Sequence, residues 1–157
     1  MDDLTLARAI HVAAIVHWIG GVSFVTLVLL PGIRRLAEPE DRARLFEQVE
    51  GAFSWQAKIS VTLAGLAGFW MTHRMDAWHR FLDPVFWWMH AMVAIWLVFT
   101  LVLFVFEPLF LHRWFAERSA HAPEETMALV WRAHLVLMTL SLVTVIVSVL
   151  GAHGALY

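Results

Sequence analysis

The chain has 157 residues, 61% of them hydrophobic and 15% charged, with a net charge of −2 and a mean hydropathy of +0.70. Soluble domains run at roughly 45–50% apolar and about 25% charged, so a soluble globule of this composition would leave a large apolar surface in water. That excludes an ordinary cytosolic domain and a disordered chain; no long basic block invites nucleic acid, and with no cysteine there is no disulfide, iron–sulfur cluster or thiolate zinc site.

Four apolar runs follow one another, at about 4–31, 52–72, 84–111 and 125–151. Each reaches the ~20 residues that a helix needs to cross a bilayer. They are apolar nearly all round, as lipid-exposed helices are. The pattern predicts an all-α protein, an integral membrane four-helix antiparallel bundle forming one transmembrane domain over 1–157. The first run opens on Asp2-Asp3 rather than a basic segment and no small-residue cleavage site follows it, so it reads as a spanning helix and not a signal peptide. It ends at Pro31-Gly32. Residues 32–50 form a charged connector in which Pro39-Glu40 reads as the start of a short surface helix. Residues 73–83 form a tight connector closed by Asp83-Pro84. Residues 112–124 form the third, ending on Pro123-Glu124-Glu125, with proline near a first helical turn and acids on its positive end.

Lysine and arginine set the expected orientation. The side of the first and third connectors holds Arg34, Arg35, Arg42, Arg44, Lys58, Arg113, Arg118 and Arg132, against Arg8, Arg74 and Arg80 on the side of the termini. Eight against three places those two connectors in the cytoplasm and both termini outside, on the periplasmic side of a bacterial inner membrane.

Six of the nine histidines fall towards that outer side: His11, His17, His73, His79, His90 and His153. Met71, Met75, Met89 and Met92 fall there too, as do Trp18, Trp70, Trp78, Trp87 and Trp88. The tryptophans suit an interfacial belt and the methionines suit packing. An ionisable imidazole inside a spanning helix is instead a functional candidate. At ~1.5 Å per residue, His11 and His90 each lie roughly 10 Å inside the outer ends of helices one and three, a common depth at which two imidazoles would hold a haem b. His17 is about 9 Å deeper. Yet His17 shares a helix face with Ala13, Ala14, Gly20 and Gly21, which permit close approach, whereas His11 lies beside Ile15, Trp18 and Val22. Depth favours His11 and the small-residue face favours His17. His153 and His73 lie at the rim, suited to supporting a ligand, contacting propionates or holding copper.

A second polar set, Lys58, Glu107, Arg132 and His134, lies towards the cytoplasmic ends of the helices, with Glu107 expected to pair with His134 or an arginine. Its plain reading is hydrogen-bonding glue and a snorkelling lysine; its functional reading is a quinone or proton-uptake site, with Glu107, Lys58 and His134 as catalytic candidates. His134, Ser141, Thr144 and Ser148 form a polar stripe along the fourth helix.

His11-x6-Trp18-Ile19-Gly20-Gly21 followed by Leu30-Pro31 is similar to the opening of small CopD-family (copper resistance D-like) membrane proteins. Trp87-Trp88-Met89-His90, Phe106-Glu107-Pro108-Leu109-Phe110-Leu111-His112-Arg113, Ser141-Leu142-Val143-Thr144 and Gly151-x-His153-Gly154 extend the resemblance over nearly the whole chain. The opening also resembles HemJ, a four-helix protoporphyrinogen oxidase that binds haem b. In both groups the first-helix histidine corresponds to His11. The expectation is therefore a b-type cytochrome-like protein, with haem on His11 and His90, or His17 in place of His11. It would carry electrons between quinone and a small or periplasmic partner, as a haem-dependent membrane oxidoreductase. The alternatives are a copper protein using His11, His90, His153, Met89 and Met92, and a HemJ-like oxidase. Gly20/Gly21 or Ala64/Gly68 would serve as homodimer faces.

Overall fold

The computed structural model describes residues 2–36 and 38–156, and among these every regular element is helical. Four helical rods account for them. The first, α1, begins with Asp3–Phe24, its start capped by the Asp2 carboxylate accepting the Leu4 N–H, and continues through a π-helical stretch, Val25–Leu29, into Leu30–Leu36. The expected stop at Pro31-Gly32 is therefore not a stop. A proline ring displaces the carbonyl one turn before it, and a widened π turn just ahead of Pro31 is where an α-helix absorbs that.

The second rod, α2, is one helix from Pro39 to Arg74, 36 residues long. Pro39 does open a helix, in the first-turn position where its missing N–H costs nothing. That helix is not a short surface piece, because nothing between Asp41 and Thr72 breaks it. It ends in a turn where Asp76 takes a positive φ of 49° and the Ala77 N–H returns to the Thr72 carbonyl at 2.9 Å. Two short 3-10 turns, Trp78–Leu82 and Pro84–Phe86, lead into α3. This rod runs Trp87–Leu101, then a second π stretch, Val102–Leu111, that contains Pro108, then His112–His121. The segment 112–124, expected to be a loop, is thus helical up to His121, and only Ala122 breaks the chain before α4, Pro123–Ala152.

Three of the rods, spanning Asp3–Arg35, Pro84–His121 and Pro123–Ala152, are long and apolar enough to cross a membrane. Four such spans are expected, and by that measure the remaining rod, α2, falls short in apolar character. The reason is visible in α2, whose Ser54, Lys58 and Ser60 dilute its apolar character while turning towards side chains of α1 and α3. Large apolar side chains elsewhere face outward, among them Val16, Leu27, Leu66, Leu109, Val136 and Ile146. That surface fits hydrocarbon rather than water.

Contacts between α1 and α2 pair residues in opposite order: Asp3 with Arg74, His11 with Ala64, His17 with Ser60 and Gly21 with Phe53. Two apolar clusters fill the interior. Trp18, Ile19 and Val22 pack with Ala57, Val61, Phe99, Leu103 and Met138, the Trp18 ring meeting Phe99 edge-on at 4.7 Å. Val25, Leu30 and Ile33 pack with Phe46, Phe115 and Met127. Ala64 and Gly68, expected as a face for a second copy, are occupied within the chain: Ala64 is buried, and a Cβ at Gly68 would come within 3.1 Å of the His11 ring.

Candidate functional site

A cavity of about 410 Å³ opens between all four rods in the half of the molecule that holds His11. The volume is within the range of small-molecule sites, about 300–1,000 Å³. His11, Ile15, Trp18 and Ile19 come to its wall from α1, because residues three and four apart share one face of a helix. Trp88, Met89, Met92, Val93 and Trp96 come from α3 by the same spacing. Ala64, Gly65 and Gly68 present almost no side chain from α2, and a Cβ at Gly65 would lie 2.6 Å from the Trp96 indole. The absent side chains at 65 and 68 are what give Trp96 and His11 their places.

His11 is half-buried, and its Nδ1 donates to the Ala64 carbonyl at 2.8 Å across the helix pair. A carbonyl can only accept, so this bond puts the proton on Nδ1 and leaves the Nε2 lone pair free in neutral imidazole. Backbone carbonyls hold metal-ligating histidines in this manner. Four thioethers line the same cavity, those of Met71, Met75, Met89 and Met92.

The other expected ligands lie elsewhere. His90 is exposed, its ring edge-on to Phe81 at 5.3 Å, and it does not line the cavity. The face decides this: with Trp88, Met89, Met92 and Trp96 turned inward, position 90 is carried round to the outside. His17 is exposed and bonds through Nδ1 to Ser60 Oγ at 2.9 Å. His153, near the end of α4, is exposed and bonds to the Val149 carbonyl at 2.8 Å. The structure thus brings only His11, of the four named histidines, to the cavity. Among the described residues no three His, Asp or Glu side chains gather so that they could hold a metal ion.

The second polar set is built around Glu107, 6% exposed, in the π stretch of α3. Ser54 Oγ lies 2.6 Å from both of its carboxylate oxygens and Lys58 Nζ lies 3.0 Å from Oε1. The expected partner of Glu107, His134 or an arginine, is therefore replaced by a lysine and a serine from α2. His134 bonds to its own helix at the Val130 carbonyl and meets Phe46 edge-on. His112 Nδ1 donates to the Glu107 main-chain carbonyl at 2.9 Å. At the edge of this cluster burial, reinforced by the Glu107 charge, pushes the Glu50 carboxyl above its ordinary value. The polar stripe of α4 divides: Ser141, Thr144 and Ser148 line the cavity and His134 does not.

Arg8 and Arg80 line the cavity without having been singled out as site residues. Arg8 had a readable signal, since it lies three residues from His11 on the same helix face. Arg80 had none, because it reaches the cavity from the connector between α2 and α3. No protein-family model matches the chain, and neither a curated protein nor a solved structure matches it.

Proposed function

We propose that this chain is an antiparallel four-helix membrane bundle of a bacterial inner membrane, with both termini periplasmic, that binds haem b in the cavity beside His11. On this reading it passes single electrons between quinone and a small or periplasmic partner. The observation that carries the reading is the His11 imidazole: its Nδ1 is committed to the Ala64 carbonyl at 2.8 Å, and it stands in the wall of a cavity lined by apolar and aromatic side chains.

The residues present suit the group. His11 would hold the group through Nε2, and the second donor type available from the same walls is a thioether, from Met71, Met75, Met89 or Met92. Histidine with methionine is an established axial pair, and it is the pair this cavity offers in place of His11 with His90. Phe69, Phe81, Trp88 and Trp96 supply flat apolar surface and exclude water. Haem, when bound, supplies one-electron transfer, and the protein's part is to hold, orient and desolvate it. The lysine and arginine excess beside the first and third connectors supports the orientation.

A second reading, Cu(I) binding, is favoured by one specific observation, four methionines and a histidine lining one cavity, a soft donor set that suits that ion.

An absorption spectrum of the detergent-purified protein, oxidised and reduced, with iron and copper measured on the same sample, separates the two. Reduced porphyrin bands with about one iron per chain are expected for the first reading. His11→Ala should then lose haem by about tenfold or more, while His90→Ala and His153→Ala retain it. Colourless protein carrying stoichiometric copper would replace haem with the second reading. Haem loss in His90→Ala equal to that in His11→Ala would overturn the ligand assignment.

A further inference from the structure

Among the described residues, four buried side-chain polar atoms have no hydrogen-bond partner: Trp18 Nε1, Trp88 Nε1, Arg80 Nε and Ser148 Oγ. All four belong to residues that line the cavity. Buried donors are nearly always paired, and each one left unpaired is costly, so four in residues around one cavity are a concentration of donors that the protein itself does not satisfy. Indole and guanidinium nitrogens only donate, and the serine hydroxyl can do so. A ligand that reaches these groups must present acceptors.

Charge narrows the choice. Arg8 and Arg80 both line the cavity, no aspartate or glutamate does, and neither arginine has an ion-pair partner among the described residues. Arg80 lies with its guanidinium carbon 5.1 Å from the centroid of the Phe86 ring, an arrangement that holds its position without neutralising its charge. Arg8 is exposed and so stands at the rim, while Ile19 and Ser141 lie farther along the helices from it. The site has a cationic edge, formed by Arg80 and Arg8, on a largely apolar interior.

We infer that the cavity takes an apolar ligand bearing carboxylate groups, seated with its acidic edge on Arg80 and Arg8 and its apolar body inside. For a porphyrin body the inference rests on the haem reading above; the recognition of carboxylate does not. The arginines then act as orienting residues, since a ligand held by its acidic edge can face only one way.

The test uses the full chain purified in detergent and probes that carry no iron. Protoporphyrin IX, with two carboxylates, is titrated beside its dimethyl ester, and binding is followed by porphyrin fluorescence. The diacid should bind about tenfold or more tighter than the ester. Arg80→Gln should remove most of that preference while leaving the ester's affinity unchanged, and Arg8→Gln should reduce it in the same sense. Should Arg80→Gln not fold, Arg8→Gln and the wild-type comparison decide the matter. Equal binding of diacid and ester by the wild type, or equal loss of both in Arg80→Gln and Arg8→Gln, overturns the inference. Displacement of the diacid by palmitate but not by methyl palmitate supports it and makes a single-chain acid the occupant. If iron porphyrin gives no haem spectrum while the acid-over-ester preference persists, the haem reading fails and this one stands.

Discussion

Glu107 and Lys58 show how a single pair of side chains sets the cost of change. Both are largely withdrawn from water, at 8% and 24% side-chain exposure, with Nζ and Oε1 3.0 Å apart. Removing one partner of a buried pair leaves an uncompensated charge, at a cost of about 3–5 kcal/mol, whereas replacing both with apolar groups is often neutral. Lys58→Met and Glu107→Leu should each lower stability by about that amount, and the double variant should lose less than the sum of the two. Denaturant unfolding in detergent measures this, and strict additivity would show that the two charges do not act as a unit. The sequence placed both residues at helix ends on one side of the membrane. It pointed Glu107 to His134 or an arginine and left Lys58 to snorkel, because depth along the helices does not say which side chains face one another. The azimuth of α2 against α3 made that choice, bringing Ser54 and Lys58, one turn apart, onto the same carboxylate.

At the scale of the elements, α2 and α3 run farther than their apolar stretches. Helix α2 takes in the charged segment from Pro39 to Glu50, and α3 continues through His112–His121. Backbone hydrogen bonding is indifferent to whether a side chain meets lipid or water, so hydropathy reports the membrane boundary and not the end of a helix. Amide hydrogen exchange should therefore find residues 42–50 and 113–120 protected in continuity with the helices they extend. Fast exchange over both segments, matching that of the 76–83 connector, would return them to loops. The π stretches were equally illegible as such. Pro31 read as a helix end, and the structure keeps its rod continuous by widening it at Val25–Leu29, as it widens α3 around Pro108 at Val102–Leu111.

For the whole molecule, the test is which way it faces. Eight Lys and Arg side chains lie on the side of the first and third connectors and three on the other. A reporter fused after Tyr157 should be active in its periplasmic format. Activity confined to the cytoplasmic format would exchange the two sides, and with them the compartment to which the cavity and its arginines open. The exposed apolar belt, with Val16, Leu66 and Ile146 among its members, suits either arrangement, since hydrocarbon does not distinguish the two faces of a bilayer.

Composition and apolar run length by themselves determined that this chain is helical and suited to a bilayer, because a spanning segment must satisfy its own backbone and bury its own length in hydrocarbon. They also marked His11 and His17, ionisable groups in a largely apolar helix. Only the tertiary structure decided what His11 stands beside. Depth is a one-dimensional quantity that can be counted along a sequence, and by depth His90 was its match. Facing is set by how each rod is turned about its own axis, and that turn depends on packing from every neighbour at once: Gly68 making room for the His11 ring, Gly65 for Trp96, Gly151 for Trp88. Those contacts put Met89 and Met92 on the cavity wall, put His90 outside, and brought Arg80 in from a connector that no helical periodicity describes.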